Sequence, residues 1–178
     1  ADHSSEGQLV CFGANGADPH HAPDDTVLRE GDSVTFDIFI PFRRYWCDMT
    51  RTVFFKTVSD EQRRVYETVK NANLSAIAAV RPGLPLRDFD RAARKVIEDA
   101  GYGPYFTHRL GHGAGLDCHE MPDVSSASDV IAKPGMVFSI EPGVYLPGKF
   151  GVSVEDLVLV TEDGCEVLNK ASKDLRIV

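Results

Sequence analysis

Four acidic residues interrupt runs that are otherwise apolar: Asp37 in SVTFDIFI, Asp48 in WCDMTRTVFF, Glu141 in MVFSIE and Glu155 in VSVEDLVLV. An unpaired carboxylate is costly to take out of water, so four in such surroundings ask for a cation. Three of the chain's six histidines lie in residues 108–120, HRLGHGAGLDCHE, spaced four and seven apart. A neutral imidazole is a common metal ligand, yet histidines become a site only when other groups join them.

Spacing suggests how the acids meet. Opposed residues of an antiparallel pair have position numbers with a constant sum. A hairpin turning at Phe42-Arg43 sets Asp37 opposite Asp48, with Cβ atoms ~4.5–5.5 Å apart on one face. Glu141 and Glu155 oppose one another if their connection centres on Gly148, and Pro147-Gly148 is a strong turn signal. Four negative charges that close cannot all stay ionised without compensation. Two divalent cations would neutralise them, and two-metal hydrolase sites hold their ions ~3.5–4 Å apart. The alternative is that one or both glutamates are exposed on a strand edge.

The elements that must position these groups are strands, then helices, then strands again. Residues 33–40 and 46–55 read as strands joined by the short link PFRRY. Ser59 with Gln62 forms a capping-box signature, and Val65, Val69, Ala72, Ala76 and Val80 follow at helical spacing. A second helix is expected from about Leu86 to Ala100, with Phe89, Ala93, Val96 and Ile97 on its apolar face and Gly101 as its cap. Residues 136–141, 152–160 and about 166–168 read as further strands. That order favours an α+β fold over a doubly wound parallel sheet.

Composition narrows the function classes. At 178 residues, 43% hydrophobic and 26% charged, the chain suits one globular domain. A net charge of −8 with no basic tract argues against nucleic acid. No apolar run approaches the ~18 residues of a membrane span. The start, ADHSSEGQ, has no signal pattern and no initiator methionine, which suggests a processed or truncated chain. Cys11, Cys47, Cys118 and Cys165 form no C-x-x-C pair, and read as reduced thiols of a cytoplasmic protein.

With these residues in place, the chain resembles the dinuclear metallopeptidases that comprise methionine aminopeptidase, aminopeptidase P and prolidase and share the pita-bread fold. The resemblance runs from about Gly13 to the C-terminus, across 1–178 read as one catalytic domain. FDIFIPFRRYWCDMTRT matches the paired aspartates, giving Asp37 and Asp48 as metal ligands. HRLGHGAGLDCHE gives His112, the S-I-E-P-G stretch gives Glu141, and VSVEDLVLV gives Glu155. Five fragments in order at these spacings are highly specific. The same matching makes His119 a catalytic residue that stabilises the transition state, and His20 and His108 substrate-binding residues. For His20 and His108, ordinary surface or packing histidine is the alternative. His21 and His3 receive no role.

PHHAPDD and EPGVYLPG look like the proline-handling branch. The resemblance implies hydrolysis of the bond before proline, in Xaa-Pro dipeptides or in peptides beginning Xaa-Pro. It implies a water or hydroxide bridging two divalent ions, with Glu141 as ligand and proton acceptor. The oxygen-rich, thiolate-free donor set favours manganese, with cobalt, zinc or iron as substitutes. A homodimer acting on small peptides, away from nucleic acid and membrane, completes the expectation. Cys47 and Cys118, each beside a site residue on a presumed strand, should point away from the site and serve packing.

Four departures stand out. Phe39 and Arg44 replace frequent glycines, and Ser153 replaces a frequent arginine of proline-specific members. The first helices of the family domain are missing from the chain. A metal-independent relative such as creatinase is disfavoured by the intact ligand set. The other rival is a weak or inactive peptide-binding module on the same scaffold. One geometric demand follows: residues seven apart face opposite ways on a regular strand, so His112 and His119 share a site only if the chain bends near Gly113 and Gly115.

Overall fold

A computed structural model of the chain describes residues 8–178, so His3 lies outside the described residues. Strands β1 (Gln8–Phe12), β2 (Ser33–Phe42) and β3 (Tyr45–Phe54) form one antiparallel sheet in that order. Helices α1 (Asp60–Ala79) and α2 (Leu86–Asp99) follow. The remaining strands are β4 (Gly111–Gly113), β5 (Glu120–Val124), β6 (Val137–Ile140), β7 (Gly143–Leu146), β8 (Phe150–Ser153), β9 (Asp156–Val160) and β10 (Cys165–Val167). They build a five-stranded antiparallel sheet in the order β10-β9-β6-β4-β5, and β7 pairs with β8. The α+β class inferred from element order holds.

Local chemistry explains the helices. Ser59 accepts from the Gln62 amide and Gln62 returns a bond to the Ser59 N–H, so the predicted capping box opens α1. Gly101, at φ 84°, follows α2 as its cap. Val65, Val69, Ala72, Ala76 and Val80 are fully buried, as are Phe89, Ala93 and Ile97, whereas Val96 is only partly covered. Phe89 stacks on Phe138 of β6 at 6.0 Å, which joins α2 to the large sheet.

The first hairpin differs from the register expected above. Its turn is Arg43-Arg44, with both residues at positive φ (50° and 75°), and the ladder runs out to Phe42 opposite Tyr45. A two-residue turn with φ > 0 at both positions matches strand twist, which is why the hairpin closes one residue later than Phe42-Arg43. Asp37 therefore faces Thr50, and Asp48 faces Phe39. The two aspartates are diagonal neighbours instead of an opposed pair, yet an offset of two keeps both on one face.

The second hairpin has the expected axis. Gly143 pairs with Ser153 and Leu146 with Phe150 around Gly148, which sits at φ 71°. Ile140 pairs with Asp156 on the same axis. Glu141 and Glu155 fall between the two ladders. Residues 152–160 are thus two strands and not one, because the Glu155 N–H turns to the Thr50 carbonyl of β3 at 3.0 Å. β7 was not anticipated; the Pro142-Gly143 break hides it in the sequence. No helix among the described residues is long and apolar enough to cross a membrane.

Candidate metal centre

β3 brings Asp48 to the centre of the molecule, β4 brings His112, and the gap between β8 and β9 brings Glu155. One ligand atom from each lies within 4.8 Å of the others, and all three residues are buried. Glu141 Oε1 is 3.3 Å from His112 Nε2, and Asp48 Oδ2 is 3.7 Å from it. Asp37 lines the same cavity as Glu141 and His112.

His112 is fixed in orientation. Its Nδ1 lies 3.0 Å from the Gly113 carbonyl, which can only accept, so the proton sits on Nδ1 and the Nε2 lone pair faces the carboxylates. The Ser139 hydroxyl accepts from the His112 N–H at 2.9 Å and donates to Glu141 Oε1 at 3.1 Å, tying two candidate ligands to one side chain. Close packing of β4 between β5 and β6 explains two glycines. A Cβ on Gly111 would lie 2.0 Å from the Ser139 carbonyl oxygen, and one on Gly113 2.6 Å from that of Met121.

The electrostatics describe a site short of positive charge. Burial, with the Asp37 charge adding to it, pushes the Asp48 carboxyl up to about 7. Burial and then Asp48 push Glu141 up to about 8. Glu155 and Asp37 are also raised, chiefly by burial. Burial lowers His112 to about 4, so it stays neutral. Thr50 donates to Glu155 Oε2 at 2.8 Å. Asp37 Oδ1, Asp48 Oδ1 and Glu155 Oε1 are buried with no hydrogen-bond donor among the described residues. Unpartnered buried carboxylate oxygens beside one neutral imidazole are what hard divalent cations take, so the residues present fit such ions.

A cavity of about 520 Å³ opens onto this cluster, lined among others by His20, His108, His119 and Tyr145. The ring of His119 lies 4.1 Å from that of His112 between centroids. The demanded bend exists: the register shifts between His112 and Gly113, and the chain reverses before β5. His108 contacts the Arg109 carbonyl through Nδ1 at 2.7 Å, so its Nε2 accepts from Tyr145 Oη at 3.0 Å. His20 lines the wall, whereas His21 pairs with Asp24 at the surface.

Sequence reasoning missed several contributors. Thr50 and Ser139 lie two residues from Asp48 and Glu141, and strand period alone would have placed them on the same face. Tyr145 had no such signal, because β7 was unrecognised. Cys118 corrects an expectation: its thiol points to Asp48 Oδ2 at 3.7 Å. It lies in the loop before β5, where strand alternation does not apply. Cys47 is exposed and bonds to the Ile40 carbonyl. Ser153 is buried on the cavity wall, with its N–H on Thr52 and its hydroxyl on the Pro142 carbonyl.

Residues 1–162 match the model of metallopeptidase family M24. An uncharacterised peptidase of Staphylococcus aureus (strain MRSA252) is 47% identical over 165 residues, covering 93% of this chain and 47% of that protein. A prolidase from Thermococcus sibiricus superposes with a TM-score of 0.96 at 44% identity, covering 100% of this chain and 48% of its own. An Xaa-Pro dipeptidase from Bacillus anthracis gives 0.96 at 39% identity, covering 100% and 50%. The chain spans about half the length of these proteins.

Proposed function

The chain belongs to metallopeptidase family M24 and has its pita-bread fold, and from that premise we propose that it cleaves the peptide bond before proline in Xaa-Pro dipeptides or at an N-terminal Xaa-Pro. The observation that carries the proposal is the convergence of Asp48, His112 and Glu155 in one buried cluster, at a cavity lined by His112, Glu141 and Asp37. Similarity to a prolidase and an Xaa-Pro dipeptidase supports the proline preference.

Asp37, Asp48, His112, Glu141 and Glu155 would hold two divalent ions, manganese being the best match to this donor set. When bound, such ions supply Lewis acidity and bring a water towards neutral pKa. Glu141, which lines the cavity with Oε1 3.3 Å from His112 Nε2, is placed to take a proton and return it to the leaving nitrogen. His119, at the cavity surface beside His112, donates to the developing oxyanion. His108, neutral because burial lowers it and oriented by Tyr145, lines the wall with His20. Four free thiols fit a reducing compartment, the cytoplasm; the active species is read as a homodimer.

Addition of manganese to metal-stripped protein, followed by measurement of proline release from Xaa-Pro dipeptides, tests the proposal. Metal-dependent release is expected. Two bound ions without turnover would make the chain a peptide-binding module instead.

A further inference from the structure

We propose that Asn73, in the middle of α1, is a positioning residue that sets the two glutamates of the metal centre; the inference rests on the reading of that centre given above. Asn73 is fully buried on the helix face that also buries Val65, Tyr66, Val69, Ala72 and Ala76. Its amide nitrogen donates to the Ile140 carbonyl at 2.9 Å and to the Val154 carbonyl at 3.3 Å. These residues immediately precede Glu141 and Glu155. One side chain with two N–H groups therefore reaches both glutamate-bearing segments, at the point where the β6–β9 ladder stops and the β7–β8 ladder begins.

The opposite side of each peptide group is held as well. The Glu141 N–H donates to the Leu110 carbonyl at 2.9 Å, and the Glu155 N–H to the Thr50 carbonyl at 3.0 Å. Each peptide plane leading into a glutamate is thus fixed at both ends, by Asn73 through its oxygen and by a neighbouring strand or loop through its nitrogen. Fixing that plane fixes where the Cα–Cβ bond points, and so where the carboxylate sits. A group that orients a ligand in this way acts on affinity without touching the ion.

Asn73 is itself oriented. Lys173 Nζ donates to its Oδ1 at 2.8 Å, which leaves the amide nitrogen turned towards the carbonyls. The same ammonium pairs with Asp156, and Asp156 pairs with Arg51, whose guanidinium also reaches the Glu155 carbonyl. The segment carrying Lys173 is held on α1 through Tyr66, whose hydroxyl contacts the Lys173 carbonyl at 3.2 Å. A chain of polar contacts thus runs from the C-terminal segment through α1 to both glutamates.

Calorimetric titration of metal-stripped protein with manganese tests the clamp. Asn73→Asp preserves size and the acceptor for Lys173 but, ionised, donates to neither carbonyl. It should bind manganese about 10- to 100-fold more weakly than the wild type. Val69→Ala, on the same buried helix face, removes packing without touching either carbonyl. It should lower the melting temperature and leave manganese affinity at the wild-type value. Lys173→Met frees the Asn73 amide to rotate, and should weaken binding in the same direction by less. It carries the test if Asn73→Asp does not fold. Wild-type affinity in folded Asn73→Asp, or in Lys173→Met where that variant stands in, overturns the clamp alone. An equal loss in Val69→Ala also overturns it, because general loosening would then account for both. A wild type that binds no manganese removes the metal centre and the clamp with it.

Discussion

The two acid-bearing hairpins do the same work with different support. The second, with Glu141 and Glu155, lies against α1 and the main core, and its turn uses Gly148 at φ 71°. The first, with Asp37 and Asp48, turns on two arginines at positive φ and leaves Phe36, Phe42 and Tyr45 substantially exposed, Phe42 at 65%. The candidate ligands on the second hairpin are held by burial, and Asn73 bonds the carbonyls that precede them. Those on the first are positioned by cross-strand contacts at Thr50 and Thr52, which join β3 to Glu155 and Ser153. Geometry at the centre thus depends on one well-packed half and on a seam that pulls the less covered half onto it.

The largest effect expected on that comparison is Asp48→Ala. It removes the first hairpin's buried candidate ligand, and proline release should fall to the detection limit, whereas His21→Ala on the neighbouring surface should change it little. Equal effects in a dipeptidase assay would contradict the site. Next comes His119→Ala, which removes one proposed oxyanion donor. It should lower kcat by about 10²–10³-fold with a smaller change in KM; steady-state kinetics in which only KM rises would reassign His119 to substrate binding.

The charge held between the hairpins gives a pH prediction. Asp48 and Glu141 are raised to about 7 and about 8, above ordinary carboxylate values of 3.8 and 4.5. A group raised on folding contributes stability that is complete below its ordinary value and is lost as pH rises through the folded one. His112, lowered to about 4 from an ordinary 6.5, acts in the opposite sense, but only below 6.5. Between pH 6.5 and 8 the carboxylates act without that opposition, so the melting temperature of metal-free protein should fall across this window. Manganese at about a hundredfold excess over its Kd should restore about 2.7 kcal/mol. A flat metal-free profile by scanning calorimetry would mean that burial and the neighbouring charges do not raise these two carboxyls.

The smallest effects are at the two turns. Gly148→Ala should cost about 1 kcal/mol, because a Cβ at positive φ is strained. Arg44→Gly should relieve strain of similar size at φ 75° and stabilise the protein by less than that, since glycine also frees the unfolded chain. Denaturant midpoints that move the same way for both would remove the contrast between the turns.

The same contrast explains what could be read from the chain. Gly148 announces its turn, so the axis that aligns Glu141 with Glu155 was legible. Arg43-Arg44 carries no such signal, and the first register was misplaced by two positions, with the shared face surviving because strands alternate with period two. The bend between His112 and His119 was legible from Gly113 and from the need for both rings at one site. Tyr145 was not, because the Pro142-Gly143 break hides β7, and the splitting of residues 152–160 was not, because it follows from a long-range bond between Glu155 and Thr50. Cys118 was misjudged because alternation was applied to a loop. Asn73 was legible only as an anomaly, an amide at a core position of α1, and its partners needed the tertiary fold.

Anomalous diffraction from crystals of the protein loaded with manganese tests the central claim most directly. Two peaks ~3.5–4 Å apart, bounded by Asp37, Asp48, His112, Glu141 and Glu155, are the predicted result. No peak within that cluster, or peaks only at surface carboxylates, would contradict it.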